Sequence, residues 1–358
     1  MINVTKTYLP PLEEYIEQLR KIWESGHVTN NGPLLLDLEE QLKQFLGVKH
    51  LFLTANGTLG LQIALKALEV TGRVITTPFS YVATTGSLLW EQCTPVFADI
   101  NESDFCIDPN RVESLLDEHT QAILAVHVYG YSCDVHALAD LGERYSIPII
   151  YDAAHAFGAR LGENSLASYG DVSVLSFHAT KLFHTVEGGA VITNDDNVAR
   201  KIRLFRAFGH IGDEYFTIGI NAKNSELHAA MGLCTLPHVQ EMIEMRHRLS
   251  DAYDKLFSGL PVARPRSAEK DLIYNYAYYP VVFPNEAILL TAQSVLQSNG
   301  VIPRRYFYPS LNQLPYRHGE KCPVAEDLSP RVLCLPLSHQ VTPEIQRTIA
   351  NIIKESIA

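Results

Sequence analysis

The apolar positions of this chain change period several times, and each change marks an element. Leu12, Tyr15, Ile16, Leu19, Ile22 and Trp23 recur at helical spacing and predict an amphipathic helix ending near Gly26. Residues 59–69 predict a second helix. Short apolar runs follow: RVITTP (73–78), PVFADI (95–100), AILAVHVYG (122–130), IPIIYD (147–152), DVSVLSF (171–177) and GAVIT (189–193). Runs this short and this uniformly apolar predict strands buried on both faces. Between two of them, DVHALADLGERYS (134–146) has the spacing of a crossover helix. Strand–helix alternation of this kind predicts an α/β fold with a mainly parallel sheet covered by helices on both sides.

The texture shifts near residue 240. A charged helical stretch, EMIEMRHRLSDAYDKLF, leads to AYYPVVF, a helix around 286–298, and the Pro- and Tyr-rich VIPRRYFYPSL. The expected organisation is a large α/β domain over residues 1–240, N-terminal segment included, and a smaller α+β domain over 241–358. A length of 358 residues agrees with about two domains.

Composition narrows the functional classes. A net charge of −11 argues against a general nucleic-acid or membrane binder, but a phosphate is captured by local groups and is not excluded. No uncharged run reaches membrane-spanning length. The start MINVTKTYLPPLEEY lacks the basic opening and apolar run of a signal peptide. The six cysteines form no CxxC pair, so reduced thiols are expected, with no disulfide framework and no metal site. Together these features predict a cytoplasmic location.

In an open parallel sheet, ligands gather beyond the carboxyl ends of the strands. IPIIYD ends in Asp152, and DVSVLSF delivers Ser176 and, after HAT, Lys181. LTANGTLGL places Gly57 and Thr58 at a helix start, where free N–H groups favour a phosphate. Pyridoxal phosphate needs a lysine for its imine, a carboxylate beside its pyridine nitrogen and an anion nest. Between Asp152 and Lys181 there is chain enough for one more strand, so adjacent strands bring both to one rim. Taken singly, these residues have bland readings: Lys181 a solvated loop lysine, Asp152 a helix cap, His155 a packing histidine, Tyr81 a core ring.

The motifs in sequence order resemble the DegT/DnrJ/EryC1/StrS family of sugar aminotransferases, which have the fold type I, aspartate-aminotransferase-like architecture. They are VTNNGP (28–33), ANGTLGL (55–61), TTPFSYVATT (76–85), HVYG (127–130), YDAAHAFG (151–158), SFHATK (176–181), EGG (187–189), GINAKNSELHAA (219–230) and RVLCLPL (331–337). The resemblance covers nearly the whole chain. It implies that Lys181 carries the cofactor and then shuttles the proton, while Asp152 keeps the pyridine nitrogen protonated. It implies further that His155 meets the ring's phenolic oxygen and Tyr81 stacks on the ring. Gly57, Thr58 and Ser176 would hold the phosphate, and Asn221 would reach the phosphate of the neighbouring subunit in a homodimer with shared sites. Lys223 stands where relatives often have arginine, keeping the charge but not the two-pronged geometry, and His228 stands where glutamine is common.

The resemblance also implies transamination through the pyridoxamine phosphate form, with L-glutamate as donor and a nucleotide-linked keto-6-deoxy sugar as acceptor. Members making dTDP-4-amino-4,6-dideoxyglucose, a precursor of O-antigen sugars, match the motifs most fully. C3-aminating and GDP-perosamine-forming relatives share most of them. Candidate substrate contacts are Thr29, Asn30, His178, His184, Glu187, Lys223, Tyr306 and Tyr308. Two other classes compete. A sugar 3-dehydratase would have histidine at the lysine position, and a non-catalytic regulator on the same fold would need no base.

Overall fold

A computed structural model describes residues 1–316 and 320–357. The chain opens with helices α1 (Leu12–Ser25) and α2 (Pro33–Leu46), each closed by a glycine in the left-handed region, Gly26 and Gly47. It then enters the central sheet through β1 (His50–Thr54), α3 (Gly57–Ala67) and β2 (Arg73–Thr76). Helix α4 (Val82–Trp90), β3 (Thr94–Phe97), β4 (Thr120–Val126), α5 (Val135–Tyr145) and β5 (Ile149–Asp152) follow. Strands β6 (Val172–Ser176) and β7 (Gly189–Thr193) complete the sheet.

The seven strands lie in the order β1-β7-β6-β5-β4-β2-β3. The pairs from β6 through β5, β4 and β2 to β3 are all parallel, as the alternation predicts. One strand departs from that pattern. β7 runs antiparallel to both β1 and β6, with Gly189 opposite Thr54 on one side and Ser176 on the other. Strand β1 itself was not anticipated. The VYG end of the third predicted strand is not extended either, because Tyr129 turns with φ of 55°.

Buried polar groups hold the helices to this sheet. Helix α2 begins after Gly32, which offers no capping side chain. The carboxylate of Glu226, on α6 (Glu226–Thr235), accepts instead from the Leu34 and Leu35 amides at 2.8 and 2.9 Å. An anion at the positive end of a helix is favourable, and here it joins two helices distant in sequence. Arg206 donates to Glu39 at 2.5 Å and to the Leu53 carbonyl at 2.8 Å, both partners being buried.

Beyond α6, α7 (Val239–Leu256), β8 (Tyr279–Val282), α8 (Glu286–Ser298), β9 (Val332–Leu335) and α9 (Pro343–Ile357) enclose a separate apolar core. Tyr253, Tyr279, Phe283, Leu296, Leu335 and Ile353 are among its buried members. Ile2 packs against this core, and Ile2–Asn3 pairs in parallel with Val301–Ile302. Ile2 and Asn3 thus join the C-terminal part, while Val4 is buried in the main core.

Candidate active site

Every parallel strand of the sheet ends at the same rim, and one cavity of about 560 Å³ opens there. Asn56, Gly57 and Thr58 line it, with Ser80 and Tyr81, Asp152 and His155, Ser176, His178, Lys181 and Glu187. Tyr278, Arg304, Tyr306 and Phe307 from the C-terminal part also line it.

Asp152 is the last residue of β5, in the middle of the sheet, and is buried. Burial pushes its carboxyl pKa up; hydrogen bonds from Thr84 and from the Ala154 amide, and the charge of Lys181, pull it back. Thr84 Oγ1 donates to Oδ2 at 2.7 Å, and the Ala154 amide donates to Oδ1 at 3.1 Å. Because the Thr84 proton is committed to the carboxylate, Ser80, 2.7 Å from Thr84 Oγ1, is the donor of that next bond. A Ser80–Thr84–Asp152 relay thus holds an anionic carboxylate in a dry place. Thr84 was not among the sequence candidates. Its only signal was the hydroxyl-rich TTPFSYVATT stretch.

Lys181 lies in the loop between β6 and β7. That loop is closed by Phe177 N–H to the Gly188 carbonyl at 2.8 Å and Thr185 N–H to the Phe177 carbonyl at 2.9 Å. Desolvation pushes the Lys181 ammonium down to about 8, with Asp152 acting in the opposite sense. A lysine so placed reaches its neutral, nucleophilic form far more readily near neutral pH than an exposed one does. The Tyr129 amide donates to Nδ1 of His155 at 3.2 Å, and burial drives the ring's pKa well down. His155 is therefore neutral with its proton on Nε2, a donor on a residue that lines the cavity.

The third component is an anion cradle. Asn56 caps α3 by accepting from the Leu59 amide at 2.9 Å, and among the described residues the Gly57 and Thr58 amides and the Ser176 hydroxyl have no protein partner. The fit is tight enough to require glycine at 189. A Cβ there would lie 2.7 Å from the Gly57 nitrogen and from the Asn56 carbonyl carbon. Carboxylate, amine, neutral imidazole donor and open helix start thus converge on one space. They match the pyridine nitrogen, aldehyde, phenolic oxygen and phosphate of pyridoxal phosphate.

Other predicted residues fall in different places. Tyr81 lines the cavity as the residue preceding α4, and Tyr306, His178 and Glu187 line it too. His178 Nε2 stands 3.6 Å from the Glu187 carboxylate. His184 does not: it is 0% exposed, its Nε2 donates to the Tyr8 carbonyl at 2.6 Å, and its Nδ1 accepts from the Val186 amide. Both nitrogens are consumed, so the substrate contact expected of His184 is corrected to a structural role. Tyr308 is also outside the cavity, beneath the Arg305 guanidinium at 3.5 Å. Thr29 and Asn30 are exposed away from the lining, and so is Asn221, whose Oδ1 accepts from Lys223 Nζ at 2.9 Å.

A covered, mainly parallel sheet with a buried carboxylate, a depressed lysine and an anion cradle at its rim defines a class of group-transfer enzymes that work through a carbonyl cofactor. The model of the DegT/DnrJ/EryC1/StrS aminotransferase family matches residues 12–354. A dTDP-4-amino-4,6-dideoxy-D-glucose transaminase of Shigella dysenteriae is 41% identical, covering 99% of this chain and 98% of the relative. The Escherichia coli protein of the same name is 36% identical, with 98% of each covered. Among solved structures, DesI in the presence of its TDP-sugar product superposes with a TM-score of 0.92 at 32% identity, covering 98% of this chain and 91% of DesI. The chain belongs to the DegT/DnrJ/EryC1/StrS aminotransferase family, and it is an aminotransferase acting within a family of nucleotide-sugar enzymes.

Proposed function

We propose that this enzyme holds pyridoxal phosphate in the rim cavity and transfers an amino group from L-glutamate to dTDP-4-keto-6-deoxy-D-glucose, giving dTDP-4-amino-4,6-dideoxy-D-glucose. The observation that carries the cofactor assignment is the meeting of Asp152, Lys181 and the open α3 start in one cavity. The identity to the Shigella and Escherichia transaminases supports the acceptor. The cofactor, when bound, would supply an aldehyde for amine exchange and an electron sink. Asp152, held anionic with the help of Thr84, would pair with the ring nitrogen. Gly57, Thr58 and Ser176 would hold the phosphate, the Nε2 proton of His155 would serve the ring oxygen, and Tyr81 would pack on the ring. Lys181 would tether the cofactor and, as a free amine, would carry the proton at Nζ.

Asn221 and Lys223 act across a homodimer on this reading. They close a segment whose neighbouring apolar side chains are bare, Tyr215 at 79% and Ile218 at 91% exposure, as expected of a surface awaiting a second copy. The product is assigned to O-antigen or a similar surface polysaccharide. The six buried free cysteines support a reducing, cytoplasmic setting.

The test is direct. The pyridoxamine-phosphate form is incubated with dTDP- and GDP-linked 4-keto-6-deoxyhexoses and their 3-keto isomers, and products are identified by mass and NMR. Amination of the dTDP 4-keto sugar is expected. Turnover of only the GDP or 3-keto compounds would refute the acceptor assignment.

A further inference from the structure

Two consecutive arginines of the C-terminal part meet opposite fates. Arg305 is committed to structure: it bonds Glu286 at 2.6 Å and the Pro330 carbonyl at 3.0 Å. Arg304 lines the active-site cavity, is exposed, and forms no ion pair among the described residues. Its backbone is fixed nonetheless, donating to the Cys334 carbonyl at 3.1 Å and accepting from the Cys334 amide at 2.8 Å. Its guanidinium rests on the Tyr306 ring, 5.1 Å from the centroid.

The charges of the cavity make this cation conspicuous. Its ionisable lining groups are Asp152, Glu187, Lys181, Arg304 and the histidines, with tyrosines between them. Lys181 faces Asp152 and is given to the cofactor, and Glu187 stands beside His178. Arg304 is then the one full positive charge of the lining left over. Both substrates are anionic, the amino donor through carboxylates and the sugar through a diphosphate. The protein carries a net charge of −11, so an anion has to be drawn in by a local group. A guanidinium suits either anion, because its paired N–H groups match two oxygens at once.

We propose that Arg304 is the specificity residue that receives the anionic end of a substrate, a carboxylate or a diphosphate, on the wall contributed by the C-terminal part. This rests on the functional reading above, and the test separates the two. The holoenzyme and its Arg304→Ala and Arg304→Lys variants are titrated calorimetrically with glutarate, a carboxylate probe, and with dTDP, a diphosphate probe. Neither titration requires turnover. A charge-assisted contact of about 1.5–3 kcal/mol corresponds to weakening by roughly tenfold to a hundredfold or more in Arg304→Ala, with partial recovery in Arg304→Lys. Loss confined to dTDP places the diphosphate at Arg304, and loss confined to glutarate places the carboxylate there. Either result, or loss in both, supports the proposal. Affinities for both probes within twofold of wild type would overturn it, and so would release of cofactor from Arg304→Lys, which would make this residue part of the cofactor's own site. Failure of the wild type to aminate any nucleotide sugar would sink the functional reading while leaving these titrations interpretable.

Discussion

If desolvation is what prepares Lys181, its titration should show it. An ordinary lysine at 10.5 presents its neutral form in only about one chain in a thousand at pH 7.5, whereas one at about 8 does so in about a quarter of chains. That difference corresponds to about 3 kcal/mol of preference for the neutral amine. The assay is reductive methylation of the apoprotein with formaldehyde and cyanoborohydride between pH 6 and 10.5, quantifying the Lys181 peptide by mass spectrometry. The midpoint for that peptide should lie near 8 while exposed lysines titrate above 10. Asp152→Asn removes the negative charge that holds the ammonium up, so its midpoint should move below that of wild type. Stability should follow the same sign. A lysine titrating below its unfolded value favours folding fully above about 10.5 and loses that contribution as pH falls through about 8. At pH 7 the Lys181→Met apoprotein should therefore be more stable than wild type, by at most about 3 kcal/mol. A wild-type midpoint near 10, or an upward shift in Asp152→Asn, would show that burial is not what prepares this lysine.

Thr84→Val keeps shape but deletes the donor to Asp152 and leaves the Ser80 hydroxyl without its partner. Loss of a charge-assisted bond of about 1.5–3 kcal/mol should raise the Asp152 pKa further, and the acid limb of the kcat/KM profile should move to higher pH. An unmoved limb would remove Thr84 from the relay. Gly189→Ala forces a Cβ to within 2.7 Å of the Gly57 nitrogen. It should weaken retention of cofactor, measured by dialysis and absorbance, more than it lowers the melting temperature of the apoprotein; equal retention would mean the α3 start is not the phosphate cradle.

Much of this architecture was readable from the chain. The apolar runs found six of the seven sheet strands, and residues just past two strand ends supplied Asp152 and Lys181. β1 was missed because HLFLT is short and follows directly on a helix. The reversed direction of β7 has no local signature; GAVIT reads the same whichever way it lies between its neighbours. Thr84 and Glu226 escaped because their partners lie 68 and 191–192 residues away, and nothing in their own helices announces them. His184 misled for the converse reason. It stands in a chemistry-rich stretch, yet its loop turns it under Tyr8, 176 residues distant.

The reversed strand has a bearing on how the enzyme matures. By returning directly alongside β6, β7 ties the nucleophile's loop shut through neighbours only roughly a dozen residues apart, a cheap closure in entropy. The groups proposed to grip a ring and a phosphate come from the far corners of the chain. A nascent polypeptide with that hairpin alone would display an amine and nothing to seat a coenzyme against it. Acquisition of colour by newly made protein is therefore a gauge of finished assembly, sensitive to the slowest long-range step.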